Sequence, residues 1–128
     1  MIGYKCLLDT CIIINTFKKH NKIGQQLDLL QEIYVPVTVE GELYFGAYNS
    51  GNIEKHLTQI QSFLNRCLII APDSKTADIY GNIKSGLMKK GKPIPENDIW
   101  IAAIAYQYNL PIFTTDKHFA EIDNVTLF

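Results

Sequence analysis

Short apolar runs alternate along the chain with longer segments in which apolar residues recur every three or four positions. The short runs predict strands, and the recurring spacing is that of one face of a helix. The predicted strands are 5–9, 33–37, 68–72, 111–116 and 125–128, and 68–72 is expected to be buried. The predicted helices are 11–19, 22–33, 39–49, 53–67, 74–88 and 95–109, with a short helical turn at 117–122.

Strands that alternate with helices in this way favour an α/β fold with a parallel sheet. We therefore expect a three-layer α/β/α sandwich around a central, mainly parallel sheet. Thr38 is the predicted N-cap of one helix, Asp73 or Ser74 of another, and Pro95 and Asn109 are placed at the two ends of the last long helix. No repeat, linker or low-complexity tract interrupts the pattern, so 1–128 is predicted to be a single domain.

The composition limits the functional classes. The chain has 128 residues, 47% of them hydrophobic, which is typical of a globular domain with a proper core. Its 12 Lys and Arg nearly balance its 13 Asp and Glu, whereas a protein that grips nucleic acid by bulk positive charge is more basic. A role on nucleic acid would therefore depend on local basic patches or on metal ions.

The N-terminal stretch lacks the basic and apolar regions of a signal peptide, and Asp9 interrupts its apolar run. No uncharged stretch approaches the length of a membrane span, so we expect a cytoplasmic protein without membrane association. Cys6, Cys11 and Cys67 are an odd number without a CxxC pair. They are predicted to be small buried hydrophobes rather than a disulfide framework or a zinc site.

Three acidic residues stand at the ends of predicted elements. Asp9 and Asp116 each end a strand, and Asp98 begins the helix that leads into the strand of Asp116. Ligands of open parallel α/β sheets bind just beyond the carboxyl ends of the strands. A helix that runs antiparallel to the following strand begins near that strand's carboxyl end. We therefore expect Asp9, Asp98 and Asp116 to face one crevice.

A fourth acid comes from the predicted helix 39–49. Glu42 shares a helical stripe with Phe45 and Gly46, and a glycine there would allow another element to pack closely if Glu42 faces inward. Glu40 points to nearly the opposite side and is expected to be solvated.

Four carboxylates around one crevice cannot all stay ionised without help, because like charges and burial raise their pKa values. A hard divalent cation, Mg²⁺ or Mn²⁺, resolves the conflict, and one ion or a pair can promote hydrolysis of a phosphodiester. Each acid also has an ordinary explanation. Asp9 could cap a helix, Asp98 could complement a helix dipole, Asp116 could open a turn, and Glu42 could be a surface residue.

Four segments, "LLDTCIII", "VTVEGELYFGA", "NDIWIAAIA" and "FTTDKHF", together resemble the successive motifs of PIN-domain ribonucleases of the VapC toxin type. The resemblance implies that Asp9, Glu42, Asp98 and Asp116 are the catalytic and metal-binding acids, with Asp9 and Asp98 the surest ligands. It also implies that polar residues supporting the ligands stand at two further positions, Thr10 and Thr114. Cys11 departs from the Asn or Ser that is common in the family.

The same resemblance implies an endoribonuclease toxin of a type II toxin–antitoxin system that cuts tRNA or another structured RNA. Its partners would be the RNA, a cognate antitoxin whose tail enters the acidic cleft, and a second copy in a homodimer. Two alternatives stay open. One is a binding module for RNA or a partner without catalysis. The other is a phosphatase with Asp9 as nucleophile, although Cys11 breaks the D-x-D arrangement of those enzymes.

Basic residues lie close to the predicted acidic crevice. Lys89, Lys90 and Lys92 precede Asp98, and His118 follows Asp116 by two residues. These four are candidate RNA contacts. The alternative is that the lysines form a solvated helix end and that His118 is simply exposed, with a proton shuttle as a further option. A second basic run is more clearly a solvated face: Lys18, Lys19, His20 and Lys22.

Overall fold

The computed structural model describes residues 4–19 and 21–128. Four strands are found in these ranges: β1 (Lys5–Leu8), β2 (Glu32–Pro36), β3 (Leu68–Ile70) and β4 (Ile112–Phe113). The helices that accompany them are α1 (Thr10–Phe17), α2 (Asn21–Asp28), α3 (Val37–Tyr48), α4 (Ile53–Leu64), α5 (Ser74–Lys90) and α6 (Glu96–Tyr108). A short 3₁₀ helix (Lys117–Glu121) follows β4.

The strands form one sheet in the order β3-β2-β1-β4, and every pairing is parallel. In the register, Leu7 of β1 lies opposite Tyr34 of β2 on one side and Ile112 of β4 on the other. The predicted α/β sandwich with a central parallel sheet is confirmed. Because β1 and β4 are neighbours, the residues that follow them, Asp9 and Thr114, leave the sheet side by side.

The core lies on β1 and on the helices around it. Leu7, Leu8, Ile12 and Ile13 are completely buried, and α6 is buried over 98–105 except at Trp100, which is half-buried. The apolar run of α6 contains three alanines, and such small side chains let neighbouring elements approach the helix closely. In the first turn of α6, Ile99 is 2% exposed and anchors the turn in this core beside the acid that it carries.

Several predicted helix ends are confirmed. Asp73 caps α5 through a capping box with Thr76, and Pro95 occupies the N-cap of α6. Asn109 ends α6 in the left-handed conformation, with φ of 55°, which asparagine tolerates better than most residues. Thr38 is not an N-cap, because α3 begins one residue earlier, after Pro36. The Thr38 hydroxyl is buried and has no hydrogen-bond partner within the described ranges.

Four predicted segments differ from the structure. The strand 111–116 is reduced to Ile112–Phe113, so Asp116 lies three residues beyond the strand that it was expected to end. Helix 22–33 ends at Asp28, because the backbone amides of Gln31 and Glu32 bond to the Tyr4 carbonyl and draw the chain into β2. The strand 68–72 is not buried, since β3 is the sheet edge and Leu68 is 46% exposed. The last predicted strand, 125–128, is reduced to an isolated parallel bridge between Leu127 and Ile112.

The three cysteines are all free. Cys6 is fully buried in β1, and burial raises its pKa to about 12, whereas Cys11 and Cys67 are half-buried. Among the described residues, no helix combines the length and the apolar character that crossing a bilayer requires.

Candidate metal centre and active site

Asp9 leaves β1 directly into the first turn of α1, and only 6% of the residue is exposed. Its Oδ1 accepts a hydrogen bond of 2.7 Å from the amide of Thr10, so Asp9 is the N-cap of α1. Its Oδ2 accepts a bond of 2.8 Å from the Thr114 hydroxyl. Asp9 thus has the ordinary capping role and also presents an oriented carboxylate at the carboxyl edge of the sheet.

Thr114 joins the ends of β1 and β4. Its hydroxyl donates to Asp9 and accepts a bond of 2.9 Å from the backbone amide of Asp116. The Asp116 Oδ1 in turn accepts a bond of 2.9 Å from the amide of His118, the second residue of the 3₁₀ helix. One threonine hydroxyl therefore fixes the distance between two of the predicted acids.

Asp98 lies in the first turn of α6 with 9% of the residue exposed. Burial raises the pKa of Asp98, and the charges of Asp9 and Asp116 raise it further, while a hydrogen bond with His118 lowers it. His118 Nδ1 lies 2.9 Å from Asp98 Oδ2 and 2.9 Å from Asp116 Oδ1. The bond to Asp98 raises the pKa of His118.

Glu42 reaches the same place from α3. Its Oε1 accepts a bond of 3.0 Å from the Thr10 hydroxyl. Although the residue as a whole is exposed, desolvation of the carboxylate raises the pKa of Glu42, and the charges of Asp9 and Asp98 add to the increase. Hydrogen bonds with Thr10 and Asn97 oppose it. The charges of the four predicted acids are therefore close enough to interact. The ligand atoms that lie within 4.8 Å of one another, among the described residues, come from Asp98, Asp116 and His118 and include neither Asp9 nor Glu42.

The reason given for the orientation of Glu42 is wrong. A side chain built at Gly46 would meet nothing within 4 Å, so the glycine is not a point of close packing. Thr10 orients Glu42 instead. Glu40, expected to be solvated, is half-buried.

Cys11 lies inside the site. Its Sγ is 3.7 Å from Asp9 Oδ2 and 3.6 Å from the Thr114 hydroxyl, and it accepts weak bonds from the amide and the hydroxyl of Thr115, at 3.5 and 3.4 Å. Cys11, the residue that departs from the family pattern, therefore connects the first turn of α1 to the segment that follows β4.

The PIN domain family model matches residues 6–125. The chain belongs to the PIN-domain family. The resemblance inferred from the four motifs is thereby confirmed, and this PIN-domain protein is a nuclease of the VapC type.

Relatives and solved structures agree. Ribonuclease VapC2 of Haemophilus influenzae is 38% identical over 108 residues, which cover 79% of this chain and 78% of that protein. The tRNA(fMet)-specific endonuclease VapC of Shigella flexneri is 31% identical over 114 residues, 88% of this chain and 86% of the relative. The crystal structure of VapBC2 from Rickettsia felis bound to a DNA fragment from their promoter superposes with a TM-score of 0.92, at 30% identity and 97% coverage of both chains.

The three lysines that are predicted to contact RNA have different surroundings in the structure. Lys90 pairs with Asp123 at 3.0 Å, and Lys92 lies 4.0 Å from Glu121, so both stand beside the end of the 3₁₀ helix. Lys89 is exposed on the last turn of α5. His20, in the second basic run, lies outside the described residues. That these lysines touch RNA stays a prediction.

The donor atoms of this PIN domain suit a divalent cation. Among the described residues, two of the four acids, Asp98 and Asp116, form an ion pair, and the partner of both is His118. One atom each of Asp98, Asp116 and His118 lie within 4.8 Å of one another. Carboxylate oxygens favour hard divalent ions, and a cation would offset the burial and the repulsion that raise the pKa values of Glu42 and Asp98.

Two residues, His118 and Asn97, contact the acids in ways that the sequence analysis did not predict. His118 is exposed, as expected, but its ring also lies against two of the acids. The Asp-x-His spacing at the start of a helical turn is the signal that could have placed it there. Asn97 interacts with Glu42, and only its position beside Asp98 in the first turn of α6 indicates this.

Proposed function

We propose that this PIN-domain protein is the ribonuclease toxin of a type II toxin–antitoxin pair and that it hydrolyses RNA with the help of Mg²⁺ or Mn²⁺. The observation that carries the proposal is the convergence of Asp9, Glu42, Asp98 and Asp116 from four separate elements at the carboxyl edge of the sheet. The names of the relatives support RNA as the substrate, and one of them names a tRNA.

In this proposal Asp9 and Asp98 would hold the ion, and Glu42 and Asp116 would complete the site. The ion, when bound, supplies positive charge for the phosphate and lowers the pKa of water. Thr10 and Thr114 hold two of the carboxylates in place by donating to Glu42 and Asp9.

Glu42 stands on the open side of the site, where the residue is exposed to solvent. The Thr10 hydroxyl holds Glu42 Oε1 at 3.0 Å, so the carboxylate is oriented and can act as a general base towards water. We assign it the task of positioning the attacking water and taking its proton.

We further propose a cognate antitoxin, a homodimer and a cytoplasmic location, as the resemblance implies. A groove of about 350 Å³ opens beside Glu42 and is lined in part by apolar residues, among them Phe17 and Ile60. On α3, Phe45 is 73% exposed and Tyr48 is 64% exposed. Large exposed apolar side chains are typical of a protein interface, which supports a protein partner on this side. The neighbouring Rickettsia felis structure is itself a VapBC complex.

The test is cleavage of total tRNA with Mg²⁺ or Mn²⁺, with and without chelator, by the wild type and by Asp98→Asn. We expect the variant to lose at least about 100-fold in rate, since residues that only support metal ligands cost about 10–100-fold. Asp78→Asn is the matched control, because Asp78 is an exposed acid on α5 outside the cluster.

Cleavage that survives both the chelator and Asp98→Asn would refute the mechanism. Thermal unfolding gives a second readout that does not need a substrate. If neither ion changes the melting temperature of the folded wild type, a binding module without catalysis becomes the better hypothesis.

A further inference from the structure

We propose that His118 is a ligand of the metal centre together with Asp98 and Asp116, and that its nitrogen makes the centre select first-row transition ions over Mg²⁺. The inference rests on the proposed metal-dependent function, but it assigns a ligand outside the four acids.

The distances suit one shared ion. His118 Nδ1 is 2.9 Å from an oxygen of Asp98 and 2.9 Å from an oxygen of Asp116, and the three donor atoms lie within 4.8 Å of one another. Two ligands at right angles, each about 2.1 Å from an ion, are about 3.0 Å apart, and opposite ligands are about 4.2 Å apart. The three groups can therefore close around an ion with small movements.

The imidazole is also held in place through the backbone of the 3₁₀ helix that carries it. The backbone amide of His118 bonds to Asp116, and the next residue, Phe119, is 1% exposed and anchors the 3₁₀ helix in the core. The His118 side chain is 47% exposed, so an ion from solvent can reach it. Asp98 lies in the first turn of α6, and its side chain is only 12% exposed.

The chemistry of the ligands then determines the preference. Carboxylates alone suit Mg²⁺, which keeps oxygen ligands and water. An imidazole nitrogen adds affinity for transition ions, in an order that rises from Mn²⁺ through Co²⁺ to Ni²⁺. With two oxygen ligands and one nitrogen, the centre is expected to prefer Co²⁺ to Mg²⁺ more strongly than a purely acidic site would.

The direct test uses the wild-type protein loaded with Mn²⁺. Pulsed electron paramagnetic resonance detects a ¹⁴N nucleus bound to Mn²⁺, and labelling histidine with ¹⁵N shifts that signal. We expect the coupling in the wild type and in His56→Asn, whose histidine lies on α4 outside the cluster. We expect it to be absent in His118→Asn.

Metal affinity gives a second readout. The RNA-free protein would be titrated with Co²⁺ and with Mg²⁺ in a calorimeter. In His118→Asn the preference for Co²⁺ over Mg²⁺ should fall by at least about tenfold, because an amide oxygen replaces the imidazole nitrogen as the available ligand. A bound ion without ¹⁴N coupling in the wild type, or an unchanged preference in a folded His118→Asn, would overturn the inference.

The two proposals fail in different ways. If the wild type binds divalent ions and cuts RNA with them but shows no ¹⁴N coupling, His118 is only a hydrogen-bond partner of the two acids, and the ribonuclease proposal stands. If the wild type binds ions through nitrogen but no ion supports cleavage, the metal site stands and the ribonuclease proposal is wrong.

Discussion

Thr114→Val changes the site without removing any of the four acids. The substitution keeps the shape of the side chain and deletes its hydroxyl, which donates to Asp9 Oδ2 at 2.8 Å and accepts from the amide of Asp116 at 2.9 Å. Both acids then lose the link that holds them together. We expect weaker metal binding and slower RNA cleavage from a protein that remains folded.

The magnitude follows from the two bonds. A hydrogen bond to a charged carboxylate contributes about 1.5–3 kcal/mol, and a neutral one about 0.5–1.5 kcal/mol. Losing the two bonds lowers the free energy of unfolding and also loosens the spacing of the two acids. We expect the free energy of unfolding to fall by about 2 kcal/mol. Cleavage should fall by about 10–100-fold, as is common for residues that support metal ligands.

Thr115→Val is the matched control. The neighbouring Thr115 donates its hydroxyl only to the sulfur of Cys11, which is a weak acceptor, and the residue is exposed. We expect this variant to stay within about threefold of the wild type. Chemical denaturation, metal titration and tRNA cleavage would be measured for both. Equal effects of the two variants, or wild-type metal affinity in Thr114→Val, would refute the reasoning that one hydroxyl sets the spacing of the acids.

Two further predictions concern stability. Glu42, Asp98 and His118 all have raised pKa values, so the metal-free folded state binds protons more tightly than the unfolded chain does. This stabilisation is complete below the unfolded pKa values and is lost as the pH rises through the folded ones. Three acids with lowered pKa values, Glu32, Asp73 and Glu96, have the opposite effect, but they are ionised in both states above about pH 5.5. In chelator, the melting temperature should therefore fall as the pH rises above about 5.5, and a flat or rising profile there would contradict the assignment. Thr76→Val removes a fully buried hydroxyl that bonds to Asp73 and Gln107, so unfolding should become easier by about 1–3 kcal/mol. The tRNA cleavage rate should not change, because Gln107 lies nine residues, or about 13 Å, along α6 from Asp98.

The meeting of Asp9, Asp98 and Asp116 could be predicted because it depends on topology. Parallel strands place their carboxyl ends at one edge, and β1 and β4 are adjacent in the sheet. The helix before β4 must begin at that same edge. The alternation of strands and helices is visible in the hydrophobic pattern, so the common location of these acids follows from the sequence even where the exact ends of the elements do not.

The contacts within the site could not be predicted in the same way. Thr10 turns Glu42 towards the other acids, and Cys11 joins Asp9 to Thr115 across more than 100 residues of chain. Such contacts depend on rotamers and on the separation of α1, α3 and the end of β4 after packing. The predicted close packing at Gly46 failed for this reason, because a helical stripe indicates a direction but not the neighbour that occupies it.

Two of the acids cap helices and also belong to the candidate metal site. Asp9 caps α1, and Asp116 opens the 3₁₀ helix, so each carboxylate accepts a backbone amide as well as facing the cluster. These bonds fix the positions of the two carboxylates at the carboxyl edge of the sheet. Glu42 and Asp98 accept no backbone amide through their carboxylates in the described contacts, and burial raises the pKa values of both. Capping and metal binding are therefore complementary: the backbone amides fix the capped acids in position, and a cation would relieve the uncapped acids, whose pKa values are raised by burial and by neighbouring charge.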